Sequence, residues 1–392
     1  MAYIGNFPAS TQTVDFKWQS VQTSAFSAVT GKGYFVNTTS GAITVTLPSS
    51  ASVGDAIAIV DYAGTFATNN ITLTSSLNIE GATDDKLLTT NREGVTVTYV
   101  DATQGWVASS GVNSGDQALE PETYLVDFLV IAGGASGGGS GVGGGAGGFR
   151  ISTQSVPIGN VITVTVGDGG SSVTQALNGY PGSDSSISGG NPTTITSAGG
   201  GRGGGYTGDG GSGGSGGGGG RDANTAGGSG NTPSTSPSQG NNGGGGSSGV
   251  GAGGGGGGAG AVGANASGGT GGAGGNGLAS SITGSSVTYA GGGGGGASQN
   301  TGNVGSGGSG GGGAGGGSSS NGTAGTANLG AGGGGSTNTG GSAISGAGGK
   351  GVVILSMLDA DYSGTTSGSP TVATGVSGKT ILTFTGTGSY TA

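Results

Sequence analysis

Residues 201–350 hold 69 glycines in 150 positions, out of 108 in the 392-residue chain. Their only charges are Arg202, Asp209, Arg221, Asp222 and Lys350. Such a segment has almost no side chains to bury. Fixing a backbone costs about 1–2 kcal/mol per residue, and glycine has the most freedom to lose. A backbone hydrogen bond contributes about 0.5–1.5 kcal/mol net, and a weak Cα–H···O contact about 0.5–1. Order therefore requires that nearly every amide be paired. Extended threefold helices do this when packed side by side, because they make no internal hydrogen bonds. The sequence thus allows two states: a bundle of polyglycine II rods, or a flexible Gly/Ser linker.

The flanking sequence favours the bundle. Leu129-Val130-Ile131 runs into Ala132-Gly133-Gly134. Thr194-Ile195-Thr196-Ser197 runs into Ala198-Gly199-Gly200, and Ser286-Val287-Thr288-Tyr289 into Ala290-Gly291-Gly292. A β-branched strand leaves through Ala into Gly-Gly each time, and Gly349-Lys350-Gly351 leads back into a strand. These exits make the glycine runs extensions of a β frame. A 15-residue run would give a rod about 45 Å long, at roughly 3.1 Å per residue. Residues facing out of a rod recur every third position, as Ser212/Ser215 and Ser306/Ser309 do.

The fold class read from the chain is all-β, with essentially no α-helix. Residues 1–30 form an N-terminal attachment segment, in which Val14, Phe16 and Trp18 alternate as a short half-buried strand. Residues 31–110 form a small β-sandwich or barrel, built from runs such as AITVTLP (42–48) and GVTVTYV (94–100). Residues 111–122 are polar and read as a linker. Residues 123–392 form the glycine-rich domain, with a β frame at 123–200 and 351–392 around a polyglycine II insert at 201–350. Strand 124–131 is apolar on both faces and belongs between layers. Tyr206 and Tyr289 are expected to pack at the frame.

Composition removes whole classes of chemistry. With no Cys and no His, thiol catalysis, disulfides and imidazole acid–base chemistry are excluded. A net charge of −9 argues against general affinity for nucleic acid or anionic membrane. The N-terminal residues show no signal-peptide pattern, and no segment has the length of a membrane span. Matches to GxGxxG follow from the glycine content alone, and Gly378-Lys379-Thr380 lacks the upstream glycine of a P-loop. The chain shows no catalytic constellation and calls for no cofactor or metal.

The glycine-poor interruptions are the binding candidates, because connecting turns are where binding residues concentrate. They are 221–242, 297–304, 318–329 and 336–342, rich in Asn, Gln, Ser and Thr that suit hydrogen bonding to sugar hydroxyls or polar protein loops. The candidate residues are Arg221, Asp222, Asn224, Ser236, Gln239, Asn241, Gln299, Asn300, Asn303, Asn321 and Asn338. Arg221 and Asp222 rank first, as the charged residues of these interruptions.

The order LVIAGGASGGGSGVGGGAGGFR, VITVTVGDGG, ITGSSVTYAGGGGGG, GAGGKGVVIL and ILTFTGTGSY resembles the glycine-rich domain of bacteriophage tail fibres and adhesins, of a marine or cyanophage type. MAYIGNFP and the block from SGAITVTLP to GWVASS resemble the N-terminal modules of phage fibres. The resemblance implies a non-enzymatic virion protein, made in the host cytoplasm without a signal peptide. It implies loops at the bundle tips that recognise a host cell-surface glycan or outer-membrane protein, attachment to tail or baseplate proteins through residues 1–30, and a homotrimer. A head-fibre or decoration protein with weak surface attachment is one alternative. An ice-binding polyglycine II protein is another.

Overall fold

The computed structural model describes all residues except 1–15, 112–119, 175–176, 190–192, 222–224, 248–250, 298–302 and 338–342. The protein is all-β. The single helical element among the described residues is a 3-10 turn at Asp359–Asp361. The chain divides into two units, the first running to Thr123 and including Pro157–Gly159, and the second comprising Tyr124–Val156 and Asn160–Ala392.

The first unit contains, in chain order, β1 (Lys17–Trp18), β2 (Phe26–Ser27), β3 (Lys32–Val36), β4 (Ile43–Thr46), β5 (Ala56–Asp61), β6 (Ile71–Thr74), β7 (Lys86–Leu88), β8 (Gly94–Asp101), β9 (Gly105–Gly111) and β10 (Glu120–Pro121). They form two five-stranded sheets, β1-β3-β5-β8-β9 and β10-β7-β6-β4-β2. The unit is a sandwich rather than a barrel. Alternation along the strands explains its core: Ile43 and Val45, Ile71 and Leu73, and Val95 and Val97 point inward with Phe66 and Trp106. The unit is larger than the span 31–110. β1 and β2 come from the stretch read as an attachment segment, and β10 from the stretch read as a linker. Trp18 is 48% exposed and lies on Phe35 with ring centroids 4.5 Å apart, so β1 is an edge strand and not a half-buried one.

The second unit begins with β11 (Thr123–Ile131), β12 (Phe149–Pro157), β13 (Val161–Thr165), β14 (Ser185–Ser188) and β15 (Ile195–Ser197). It continues with β16 (Leu278–Ser280), β17 (Val287–Tyr289), β18 (Val352–Leu358), β19 (Thr366–Ser367), β20 (Thr371–Val376), β21 (Lys379–Phe384) and β22 (Gly388–Thr391). The sheets β12-β11-β18-β21-β20 and β15-β14-β13-β22-β19 enclose a core of Val126, Phe128, Val130, Ile162, Leu355 and Phe384 among others. The other face of β11 carries Leu129 and Ile131, which pack with Val352, Ile354, Ala146, Ala259, Tyr289 and Ala290. The C-terminal half of β11, Phe128–Ile131, is thus apolar on both faces because it is covered on both, by the second sheet and by the ends of the glycine rods, whereas Leu125 nearer its start is 64% exposed. Tyr289 packs at the frame as its position suggests.

The rods show their threefold symmetry in their hydrogen bonds. In rod 142–148, Gly143 and Ala146 donate to Gly254 and Gly257, Gly144 and Gly147 to Gly333 and Gly330, and Gly145 and Gly148 to Gly201 and Ala198, at 2.8–3.0 Å. Each successive amide turns to the next neighbour, and every third returns to the same rod. The carbonyls turn likewise, with Gly143 and Ala146 accepting from Gly218 and Ser215, Gly144 from Gly293, and Gly145 and Gly148 from Ala135 and Ala132. Rod 142–148 is therefore ringed by rods at 252–260, 330–337, 198–205, 214–221, 290–297 and 132–139. Rod 290–297 repeats the pattern. Gly293 and Gly296 donate to Gly144 and Gly141, Gly294 and Ala297 to Gly313 and Gly316, and Gly292 and Gly295 to Gly275 and Gly272. This is hexagonal polyglycine II packing, with every amide from Gly143 to Gly148 and from Ala290 to Ala297 paired laterally.

Two expectations are revised. The bundle is not confined to 201–350, because rods at 132–139 and 142–148 follow β11 directly. The rods are also shorter than 15 residues. The run 208–221 folds back at a bend over Gly213–Ser215, and rod 252–260 spans about 25 Å at roughly 3.1 Å per residue. Ser212 is accordingly exposed while Ser215 is buried, so they do not share an outer face; Ser306 and Ser309 do.

Candidate functional site

A rod that leaves the frame at Ala132, Ala198 or Ala290 reaches the far end of the bundle about eight residues later. Lateral pairing assigns each turn to an end. Gly296 donates to Gly141, Gly220 to Gly208, Gly253 to Gly296, and Gly316 to Gly335, which places 139–141, 205–208, Arg221, Ala252, Gly317 and Ser336 together at the end away from the frame. Phe149 donates to Gln239, Gly214 to Gly199, and Ala290 to Leu329, which places 213–214, 231–239 and 326–330 beside the frame.

The longest interruption, 221–242, is therefore not one tip. It opens at the distal end with Arg221, crosses the bundle as the rod 225–231, and turns at the frame end through 232–238 before the next rod begins. Of the sequence candidates, Arg221, Asn303 and Asn321 are distal, while Ser236, Gln239 and Asn241 are at the frame end. Asp222, Asn224, Gln299, Asn300 and Asn338 lie outside the described residues. Two candidates are corrected. Gln239 is 1% exposed, and its carboxamide accepts from Ala198 N–H at 2.8 Å and donates to the Pro233 carbonyl at 2.8 Å. Asn241 is half-buried and donates through Nδ2 to the Gly258 and Ala259 carbonyls. Both tie the 232–238 turn to the bundle and present nothing to a partner. Ser236 is exposed, but at the frame end.

Asn321 illustrates a wider pattern. Its Oδ1 accepts from Ile344 N–H at 2.9 Å. Asn178 accepts likewise from Gly205, Asp184 from Gly199, Asp209 from Ala226, Asn242 from Gly230, Asn265 from Gly245, and Asn276 from Ser309, at 2.6–3.0 Å. All seven residues are exposed. Each sits where an outer rod lacks a neighbour, and its side-chain oxygen stands in for the missing carbonyl. An unpaired amide next to the lattice would otherwise lose its partner. Asn242 and Asn321, which lie in the glycine-poor stretches, thus have a structural role independent of any ligand.

Tyr206 is the residue that the sequence misplaced. It belongs to the distal turn 205–208, is 43% exposed, and does not pack at the frame. The Arg221 guanidinium lies over its ring, 5.0 Å from the centroid. Arg221 Nη1 is buried without a hydrogen-bond partner, and the electron-rich ring face supplies the compensation. A count from Ala198 would have found Tyr206: eight residues of rod place it at the far end. Asn178, through Gly205, and Asp209, through Ala226, fix the backbone on either side of this turn. Among the described residues no group of three or more Asp, Glu, His or Cys side chains is placed to hold a metal, and no helix is long and apolar enough to cross a membrane.

The architecture defines a class: a β-framed polyglycine II bundle with turns gathered at two ends. The chain matches the family model described as glycine-rich domain over residues 109–358, and it belongs to that family. No curated protein matches it.

Proposed function

We propose that the protein is a non-enzymatic structural component of a virus particle, a tail fibre or adhesin that recognises the host cell surface through the distal turns of its bundle. The observation that carries this reading is the segregation of the turns. Those at the frame end are tied down by Gln239, Asn241 and the sheet, whereas the distal end presents exposed Tyr206, Thr207 and Asn303 away from the frame. A bundle of rods with little side-chain chemistry of its own is a rigid spacer, and its free end is where specificity can be added without disturbing the lattice. In this reading residues 1–30 attach to tail or baseplate proteins. The first unit is a stem that assembles copies, as a trimer in the manner of fibres. Exposed Trp18, Val21 and Val29 give it apolar side chains that such contacts could cover.

Adsorption of the purified protein to a panel of bacterial cells tests the reading. Replacing 221–224 with Gly/Ser abolishes adsorption, while replacing 232–236 with Gly/Ser leaves it unchanged. Equal loss from both, with both variants folded, removes the distal end from the account. Location of the protein at the particle head rather than its tail would favour the decoration alternative.

A further inference from the structure

We propose that Tyr206 and Arg221 form a carbohydrate subsite, a stacking platform for one pyranose ring at the distal end of the bundle. The inference rests on the adhesin reading and specifies its ligand class.

The described distal turns are built mostly from Gly, Ala, Ser, Thr and Asn, and Tyr206 is the aromatic side chain of the turn 205–208. Its ring is nearly half exposed although one face is engaged by the Arg221 guanidinium. That clamp holds the ring in one orientation before any ligand arrives, so binding need not order it. The guanidinium lies on the ring with Nη1 buried, so the pair presents one combined plate.

A pyranose offers an apolar C–H face and a rim of hydroxyls. The apolar face suits an aromatic plate, and the hydroxyls need short polar side chains beside it. Those groups flank the turn. Asn178 uses Oδ1 on Gly205 N–H, which directs its amide hydrogens elsewhere. Asp209 uses Oδ1 on Ala226 N–H and retains Oδ2 as an acceptor. Thr207 is exposed next to the ring. All are held by a rigid lattice, which favours hydroxyl recognition over induced fit. A protein receptor would instead need contact of roughly 600 Å² or more per partner, spread over several turns. Its binding would depend weakly on any one ring.

The test uses the purified full chain on an array of bacterial oligosaccharides, with competition by the methyl α-glycosides of glucose, galactose, mannose and N-acetylglucosamine. Binding to at least one array glycan, displaced by one of these glycosides, is expected. Tyr206→Ala should reduce it at least tenfold, Tyr206→Phe should retain it, and Arg221→Ala should weaken it several-fold. Ser236→Ala at the frame end is the control and should change nothing. Binding to no glycan, or binding that survives Tyr206→Ala, overturns the proposal. A cell-adsorption arm separates it from the adhesin reading. Adsorption lost after protease treatment of the cells but retained by Tyr206→Ala points to a protein receptor, which refutes the subsite and leaves the adhesin standing. Tyr206-dependent glycan binding without adsorption to any cell supports the subsite and removes the adhesin reading.

Discussion

The first unit and the glycine bundle are both densely buried, but what they bury differs. In the sandwich, Phe66, Ile57, Leu73 and Trp106 fill the space between two sheets. In the bundle, backbone packs on backbone, and the space a side chain would take is already occupied. A Cβ placed on Gly144 would lie 2.3 Å from the Ala135 carbonyl oxygen, and one on Gly293 2.0 Å from that of Gly333. A side-chain core is adjustable, because rotamers shift and volumes trade. A backbone lattice has no such reserve, since every atom near the new methyl is itself in a hydrogen bond. The bundle should therefore fail at single positions where the sandwich would bend.

The largest effect tests that contrast directly. Gly144→Val puts two further carbons into the middle of the lattice and should destabilise the second unit by more than about 5 kcal/mol, the range reserved for severe core disruption. Limited proteolysis should then cut the glycine region while the first unit survives. In the unaltered protein, amide exchange at Gly144, Gly145, Gly293 and Gly294 should be slow. Rapid exchange at these positions would mean that the rods are not ordered in solution.

The matching lesion in the sandwich is Trp106→Ala. Trp106 is fully buried, and its loss should cost about 3–5 kcal/mol. Here the first unit should melt earlier while exchange protection in the rods is unchanged. A Trp106→Phe variant should recover part of the loss. No replacement for Gly144 should, because nothing larger than a hydrogen fits there.

The contrast also explains what could be read from the sequence. Strands announce themselves through their apolar patterning, and β4, β8 and β11 coincide, to within two residues at either end, with runs visible in the chain. The Ala-Gly-Gly exits after β11, β15 and β17 revealed where rods leave the frame. Rod length was not visible, because glycine is permitted both within a rod and at its reversal. The run 208–221 looks continuous and bends at Gly213–Ser215. Reversals of this kind put Gln239 and Asn241 at the frame end, whereas Tyr206, which precedes the bend, follows from a count of eight residues after Ala198. Alternation through Trp18 located β1 but not its exposure, while β2 and β10 are two-residue strands, too short to show periodicity.

A polyglycine lattice carries little information about register, since a rod slipped by three residues finds the same partners. Exposed Asn and Asp side chains that accept from one particular amide break this degeneracy. Asn276→Ala removes the acceptor of Ser309 N–H, a bond of 3.0 Å at an exposed position. The expected cost is about 1 kcal/mol, the net worth of one hydrogen bond. Asn276→Asp should preserve the bond and the stability. Removing Asn265, Asn276 and Asn321 together should cost more than the sum of the single changes if these residues fix register, and an additive loss would reduce them to independent hydrogen bonds.

The smallest effect concerns the frame that holds the rods. Asp127 on β11 pairs with Lys379 on β21 at 2.7 Å and accepts from Thr153 on β12 at 2.6 Å. Burial pushes its carboxyl up, but the hydrogen bonds from Lys379 and Thr153 and the charge of Lys379 outweigh it and hold the pKa below the ordinary value. A carboxyl lowered in the folded state adds stability above its unfolded pKa of about 3.9, and that stability fades as pH falls through the folded value. The pair is partly exposed, so the contribution at neutral pH should be below about 1 kcal/mol. The melting temperature of Asp127→Asn should lie slightly under that of the unaltered protein at pH 7. The gap should close as pH drops below about 4, because the unaltered carboxylate then loses its charge too. A gap that persists unchanged into strong acid would assign the role of Asp127 to packing between β11, β12 and β21 and not to its charge.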